Sequence, residues 1–184
     1  MSAAASMVMC VLVSLTSTGA QGTTSAEYQI KANFLSQFPN FIEWPETAFP
    51  SPQALFAVCV IGDFSFGTAL AEATQHEAFH NRKISVRRVR KIADMRGCQI
   101  LFVSRSESSR YAPVLAAVRN SEVLTVGETP EFLVTGGAIN FFYDQHGLQF
   151  EVNLSATKDA RLAMSSRLLA LARRVVNRAE AAKG

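Results

Sequence analysis

The sequence predicts an α/β domain: a mainly parallel sheet with helices on both faces, in Rossmann or flavodoxin-like layering, followed by a C-terminal antiparallel hairpin and a long C-terminal helix. Three observations predict it. "FAVCVIG" (56–62) and "QILFVS" (99–104) are apolar runs of strand length without polar alternation, as strands covered on both faces require. Helical patterns separate successive strand-like runs, and that order implies right-handed crossovers between parallel neighbours. The last two β-rich runs, in "AINFFYDQHGLQFEVN" (138–153), are separated by only a few residues around Gly147, a connection short enough for an antiparallel pair at the sheet's edge.

The elements follow in order. Residues 1–20, "MSAAASMVMCVLVSLTSTGA", carry no charged side chain, hold an apolar stretch from Met7 to Leu15 and end in small residues, the pattern of a cleaved signal peptide. That stretch is shorter than the roughly 20 residues a membrane span needs, so the expectation is export through a cleaved signal peptide. Residues 21–26 read as a short linker, 27–178 as one α/β domain and 179–184 as a flexible tail. Ser25 is expected to cap a helix that starts at Glu27 and buries Tyr28, Phe34, Leu35 and Phe38, until Pro39 ends or kinks it. "PSPQ" (50–53) breaks the chain before a strand at Leu55–Ile61. A helix in "FGTALAEATQ" (66–75) precedes a strand at Ile84–Val89, where Ile84, Val86 and Val89 alternate with cations as a strand with one wet face would. Then come a strand at Gln99–Ser104, a helix at Glu107–Arg119, a strand at Val123–Val126 and a helical turn at Pro130–Leu133. After the hairpin, Ser155 is expected to open an amphipathic helix reaching Arg178.

Composition narrows the function. With 48% hydrophobic and 18% charged residues the chain has the balance of a folded domain, which excludes disorder. A net charge of +3 is too small to point to nucleic acid. Basic residues do concentrate in "NRKISVRRVRK" (81–91), where an acidic ligand or partner is the alternative to a solvated face.

Few motifs carry chemistry. His76-Glu77-Ala78-Phe79-His80 is a literal H-E-x-x-H, which on a helix would hold zinc with Glu77 as base. The only further histidine is His146, in the predicted hairpin turn, and the segment lies where a helix should fray. No metal, cofactor or enzyme activity is expected. Neither a dinucleotide fingerprint, a P-loop nor a G-x-S-x-G elbow occurs. Loops beyond the carboxyl ends of parallel strands are where open α/β sheets bind ligands, which makes Asp63, Ser104 and Arg105 candidates for a small molecule. Glu151 and Asn153 end a strand, and Ser165, Ser166 and Arg167 interrupt an apolar helical pattern. Such polar groups either pair with each other or meet a ligand or partner. Cys59 and Cys98 are the two cysteines left once Cys10 leaves with the signal. On adjacent strands about 4.8 Å apart they can form a disulfide or remain inert buried thiols.

In order, "YQIKANFLSQFPNFIEWP", "VCVIGDFSFGTAL", "RKISVRRV", "CQILFVSRSE", "VLTVGETPEFLVTGGAINFF" and "FEVNLSATKDARLAMSSRLLALAR" resemble the YfiR-like periplasmic proteins, from about Tyr28 to Arg173. The resemblance implies an exported α/β domain that works by protein–protein contact. In this family it typically holds an inner-membrane diguanylate cyclase inactive through the cyclase's periplasmic region and so lowers cyclic di-GMP; an outer-membrane lipoprotein withdraws it under stress. It also implies pairing of the cysteines at Cys59 and Cys98. Where some members carry a second cysteine pair near the hairpin, Phe141, Phe142 and Tyr143 offer none. The expected partner-binding residues are Glu151, Asn153, Ser166 and Arg167, with Phe38, Phe41 and Trp44 as aromatic anchors or core, and a homodimer is compatible with the family. The rival reading is a periplasmic small-molecule sensor using Asp63, Ser104 and Arg105.

Overall fold

The computed structural model describes residues 21–177. The expected signal peptide and tail therefore lie outside the described residues. Helix α1 runs over Gln21–Gln37. It takes in the segment expected as a linker, and Ser25 sits within the helix instead of capping it, since no proline interrupts the chain before Pro39. Ala32, Leu35 and Phe38 are buried, Tyr28 is half-buried, and Phe34 stays 39% exposed. The reason is angular: positions 28, 32, 35 and 38 share one helical face and 34 falls at its margin. Pro39 has its expected effect, because α1 gives way to a 3₁₀ turn at Phe38–Phe41.

The strands are β1 (Ile42–Glu43), β2 (Phe56–Ile61), β3 (Ala78–Phe79), β4 (Arg82–Val89), β5 (Ile100–Val103), β6 (Leu124–Gly127), β7 (Ile139–Asp144), β8 (Gly147–Asn153), β9 (Ala163–Met164) and β10 (Arg174–Val176). The remaining helices are α2 (Ser65–Thr74), α3 (Tyr111–Ala117), α4 (Glu131–Val134), α5 (Leu154–Asp159) and α6 (Ser166–Leu171). Eight strands form one sheet in the order β10-β8-β7-β6-β5-β2-β4-β3. All neighbours are parallel except the β7–β8 hairpin and the short β3–β4 pair. β1 and β9 form a separate antiparallel ribbon.

The apolar strands are buried on both faces, as their lack of alternation required. Along β2, Phe56, Val58 and Val60 enter one core, packed with α1 and α2, while Ala57, Cys59 and Ile61 enter a second core with Tyr111, Val114 and Leu115 of α3. A knot of aromatic rings closes the first core at its lower end: Trp44 meets Phe56 edge-on at 5.0 Å and Phe79 at 5.6 Å, and its indole N–H donates to the Gln99 carbonyl. Cys59 and Cys98 are joined by a disulfide, with Cα atoms 5.9 Å apart.

Three expectations are corrected. The helix expected over Glu107–Arg119 is split into a 3₁₀ segment at Arg105–Arg110 and α3, because Pro113 is tolerated only within the first turn of an α-helix. The long C-terminal helix is instead α5, β9, α6 and β10. Arg161 adopts φ +55° and terminates α5; its N–H donates to Lys158 O (2.9 Å) and that of Leu162 to Thr157 O (3.0 Å), a Schellman closure achieved without glycine. Ser165 then starts α6 by accepting the Leu168 N–H, so the Ser-Ser pair is a helix start and not a polar interruption. Finally, β10 adds in parallel outside β8, so the hairpin is not the edge of the sheet.

Candidate functional site at the carboxyl ends of the central strands

From β2 the chain crosses to β4 on one side and then returns to β5 on the other, so the sheet's connection order reverses between β2 and β5. In open α/β sheets a crevice forms at the carboxyl ends of such strands. Of the three residues expected there, Asp63 lines a small cavity with Arg88 and Ser106, whereas Ser104 is buried and the Arg105 side chain turns to Glu27 and Glu128. Gly62 ends β2 at φ +97°, a conformation that suits glycine, and a Cβ on it would lie 2.6 Å from Ser106 Oγ. The close approach lets the Asp63 N–H donate to Ser106 Oγ at 3.0 Å. Asp63 in turn accepts the Ser65 N–H (2.9 Å) and hydroxyl (2.8 Å) at the start of α2, which holds its carboxyl below the usual aspartate range, with Arg88 adding to the effect. Ser104, fully buried, accepts the Ser106 N–H and starts the 3₁₀ turn, while the backbone N–H of Arg105 donates to Glu128 Oε1 at 2.9 Å.

Beside these lies a charged cluster that sequence reasoning missed. Lys31 Nζ, on the inward face of α1, donates to Glu128 Oε2 at 2.6 Å and to Glu27 Oε1; the Lys31 and Glu128 side chains are 2% and 0% exposed. The exposed Arg105 guanidinium reaches Glu27 at 3.3 Å and Glu128 at 3.5 Å. Two cations thus meet two carboxylates. Lys31 Nζ also lies 5.6 Å from the Tyr28 ring centre and 5.7 Å from that of Tyr143, so α1, β6 and the hairpin converge on one ammonium group. Burial pushes both phenols above their ordinary pKa, seconded by Glu128 at Tyr28 and by Glu27 at Tyr143. Because the charges are mutually satisfied, the cluster's evident work is to tie α1 to the ends of β5 and β6. A signal existed in the sequence: Lys31 falls inside the apolar stripe of α1, and Glu128 directly follows a wholly apolar strand end.

The residues expected to touch a partner are not gathered in one place. Glu151, on β8, pairs with Arg174 of β10 at 2.7 Å. Asn153 is buried and accepts the N–H groups of Ser155 and Ala156, which makes it the cap of α5. Ser166 and Arg167 are exposed on α6. Phe38 stacks on Phe141 and tilts against Phe150, and Trp44 belongs to the aromatic knot, so both are core. Phe41 is half-buried and lines a groove of about 560 Å³ with Ile42, Met164 and His80. The H-E-x-x-H segment is not helical: His76 lies in a turn, Phe79 in β3, and His80, at φ +47°, stacks on Phe79. Among the described residues no group of histidine, cysteine or carboxylate side chains is arranged to hold a metal ion.

Two solved structures share the fold. One is the ABC domain in complex with L-Trp from Streptococcus pneumonia, at TM-score 0.53 and 10% identity, covering 82% of this chain and 60% of that one. The other is a conserved domain protein from Vibrio cholerae O1 biovar El Tor, at TM-score 0.52 and 10% identity, covering 81% and 60%. The chain therefore spans about 60% of the length of the structures it matches. The comparison with curated proteins gives no match. The YfiR/HmsC-like family model matches residues 28–173, from the second half of α1 to the last turn before β10. That span holds the disulfide, Lys31, Arg105 and Glu128 of the charged cluster and every strand of the main sheet except β10, and on it the chain belongs to the YfiR/HmsC-like family.

Proposed function

We propose that this chain is a periplasmic regulatory protein that binds the periplasmic region of an inner-membrane diguanylate cyclase and represses it, lowering cyclic di-GMP. The family match over residues 28–173 carries the reading. It is supported by the Cys59–Cys98 disulfide, which fits an oxidising compartment, and no helix among the described residues is long and apolar enough to cross a membrane. The regulator works by contact and not by chemistry, and an outer-membrane lipoprotein is the class of partner that would withdraw it. Its signal peptide is residues 1–20 and its working domain ends near residue 178. Of the expected contact residues, Ser166 and Arg167 on α6 and Glu151, which is paired with Arg174, form the accessible set, with Phe41 in the neighbouring groove; a homodimer would present that set twice.

Cellular cyclic di-GMP in a deletion strain tests this. The level should rise on deletion, return with the full-length gene, and stay high with a version lacking residues 1–20. Arg167→Glu should leave the domain folded and abolish complementation. An unchanged level on deletion, with candidate cyclases expressed, removes the reading. The second reading, a small-molecule sensor, draws on the cavity of about 350 Å³ beside Gly62, Asp63 and Ser106. It would show as a ligand-dependent rise in melting temperature that Asp63→Ala removes.

A further inference from the structure

The sheet has two ends. One is β10, beside the surface assigned above; the other is β4, covered by β3 only opposite Arg82 and Lys83. From Ile84 to Val89 the inner side of β4 pairs with Phe56–Ile61 of β2, and no described strand pairs its outer side. In a parallel ladder, alternate residues turn their N–H and C=O groups outward, so this stretch offers a row of backbone donors and acceptors long enough for another strand. Ile84 and Val86 are half-buried against the first core, which fixes the register of the edge and keeps it extended.

The side chains on and after this edge share one sign. Lys83, Arg87, Arg88, Arg90, Lys91 and Arg96 are all exposed, and among the described residues none lies within ion-pairing distance of a carboxylate. Arg87 lies over the disulfide, 3.5 and 3.4 Å from its sulfurs, and Arg88 packs on the Phe64 ring at 5.6 Å. Those two guanidinium groups are therefore positioned, on opposite faces of the edge, without a direct ion pair, although Arg88 lies close enough to Asp63 to help hold its carboxyl ionised. Elsewhere in the described fold arginines find carboxylates readily: Arg105, Arg110, Arg161 and Arg174 all do. Charged side chains blunt an edge against aggregation; six cations without a direct ion pair also give this open ladder a strong single sign.

The geometry points to the outer edge of β4, Ile84–Val89, as a strand-addition site for an extended, acidic segment of a partner protein. Backbone hydrogen bonds to the open ladder supply register, and carboxylates at two adjacent positions of the added strand, which fall on opposite faces, meet Arg87 on one face and Arg88 on the other. A second copy of this chain is disfavoured as occupant, because edge-to-edge pairing would set arginines opposite arginines. The site is separate from the α6 and β8 surface, so it stands or falls without it.

The test uses the mature, disulfide-intact protein and a synthetic peptide of about eight residues in which a pair of adjacent Glu is flanked by Val and Thr. Three probes accompany it: the same sequence with Lys for Glu, the acidic peptide N-methylated at alternate amides, and a single-stranded oligonucleotide. The acidic peptide should bind, slow hydrogen exchange at the outward amides of Ile84–Val89, and weaken at least about tenfold in the double variant Arg87→Glu, Arg88→Glu, which should in turn accept the Lys peptide. N-methylation should also cost at least about tenfold. Absent binding, unchanged exchange at residues 84–89, equal binding of the N-methylated peptide, or preferential binding of the oligonucleotide each overturns strand addition. The exchange measurement needs no variant, so a variant that fails to fold does not spare the proposal.

Discussion

Lys31 is the residue on which the most depends. Its ammonium is buried against Glu128 and Glu27, and a buried pair of this kind is costly to break because the surviving charge has no water to return to. Lys31→Met should therefore destabilise the domain by about 3 kcal/mol, measured as a lower urea midpoint. Lys31→Met with Glu128→Leu should recover most of that loss, since two apolar groups leave no orphan charge. The three tyrosines of the chain make a second prediction. Tyr28, Tyr111 and Tyr143 all have pKa values raised first by burial. A phenol held neutral in the fold contributes stability that is complete below the ordinary tyrosine value near 10 and lost as pH rises through the higher folded values. Ultraviolet titration should find no tyrosine of the native protein ionising below that ordinary value, and the tyrosines' share of the denaturation midpoint should be lost on the alkaline side. Lys31 could have been noticed in the sequence as a cation inside an apolar stripe, but its partner 97 residues away could not.

At the scale of elements, caps decide what periodicity alone misreads. The pattern from Ser155 to Arg178 is apolar at helical intervals, yet it does not form one helix. Asn153 starts α5, Arg161 closes it in the left-handed region, and Ser165 starts α6. Asn153→Ala should cost about 1 kcal/mol, because two half-buried N–H groups lose their acceptor, and the loss should appear in thermal melts. Retained stability would show that α5 is held by packing alone. The start at Ser165 was legible, since serine in front of an apolar run is a start signal, whereas Asn153 reads as the end of a strand. The stop was not: arginine has no preference for positive φ, and only the tertiary contact that places its guanidinium on Glu122 and the Asn120 carbonyl accounts for its use there.

At the scale of the molecule, the disulfide joins β2 to the start of β5, the two strands at which the sheet's connection order reverses. It closes a separation of 39 residues, for which loop entropy predicts about 4 kcal/mol. Cys59→Ser with Cys98→Ser should lower the denaturation midpoint accordingly while leaving the far-ultraviolet circular dichroism unchanged, because the strands around it are buried on both faces and need no tether for register. A collapse of secondary structure in that variant would mean that the bridge, not the two cores, holds the centre of the sheet. With the strand-addition site at one edge and the α6 surface near the other, the molecule has two separable places for partners, and charge-reversing variants at each should fail independently.

The sequence by itself determined the layered α/β class, six of the eight strands of the main sheet, the hairpin around Gly147, the end of α1 at Pro39 and the pair of cysteines available to bridge. These are local consequences of side-chain period, turn chemistry and the scarcity of cysteine. Tertiary structure alone decided the short strands β1, β3, β9 and β10, whose two or three residues carry too little pattern to announce a strand and exist because a distant partner offers a ladder, as Ile42 does to Met164 and Glu151 to Arg174. It also decided that Phe38 and Trp44 are core, that Asn153 is a cap, and that Lys31, Glu27, Glu128 and Arg105 share one site. Periodicity reports which face of an element is apolar, whereas the identity of what lies against that face is a property of the whole chain.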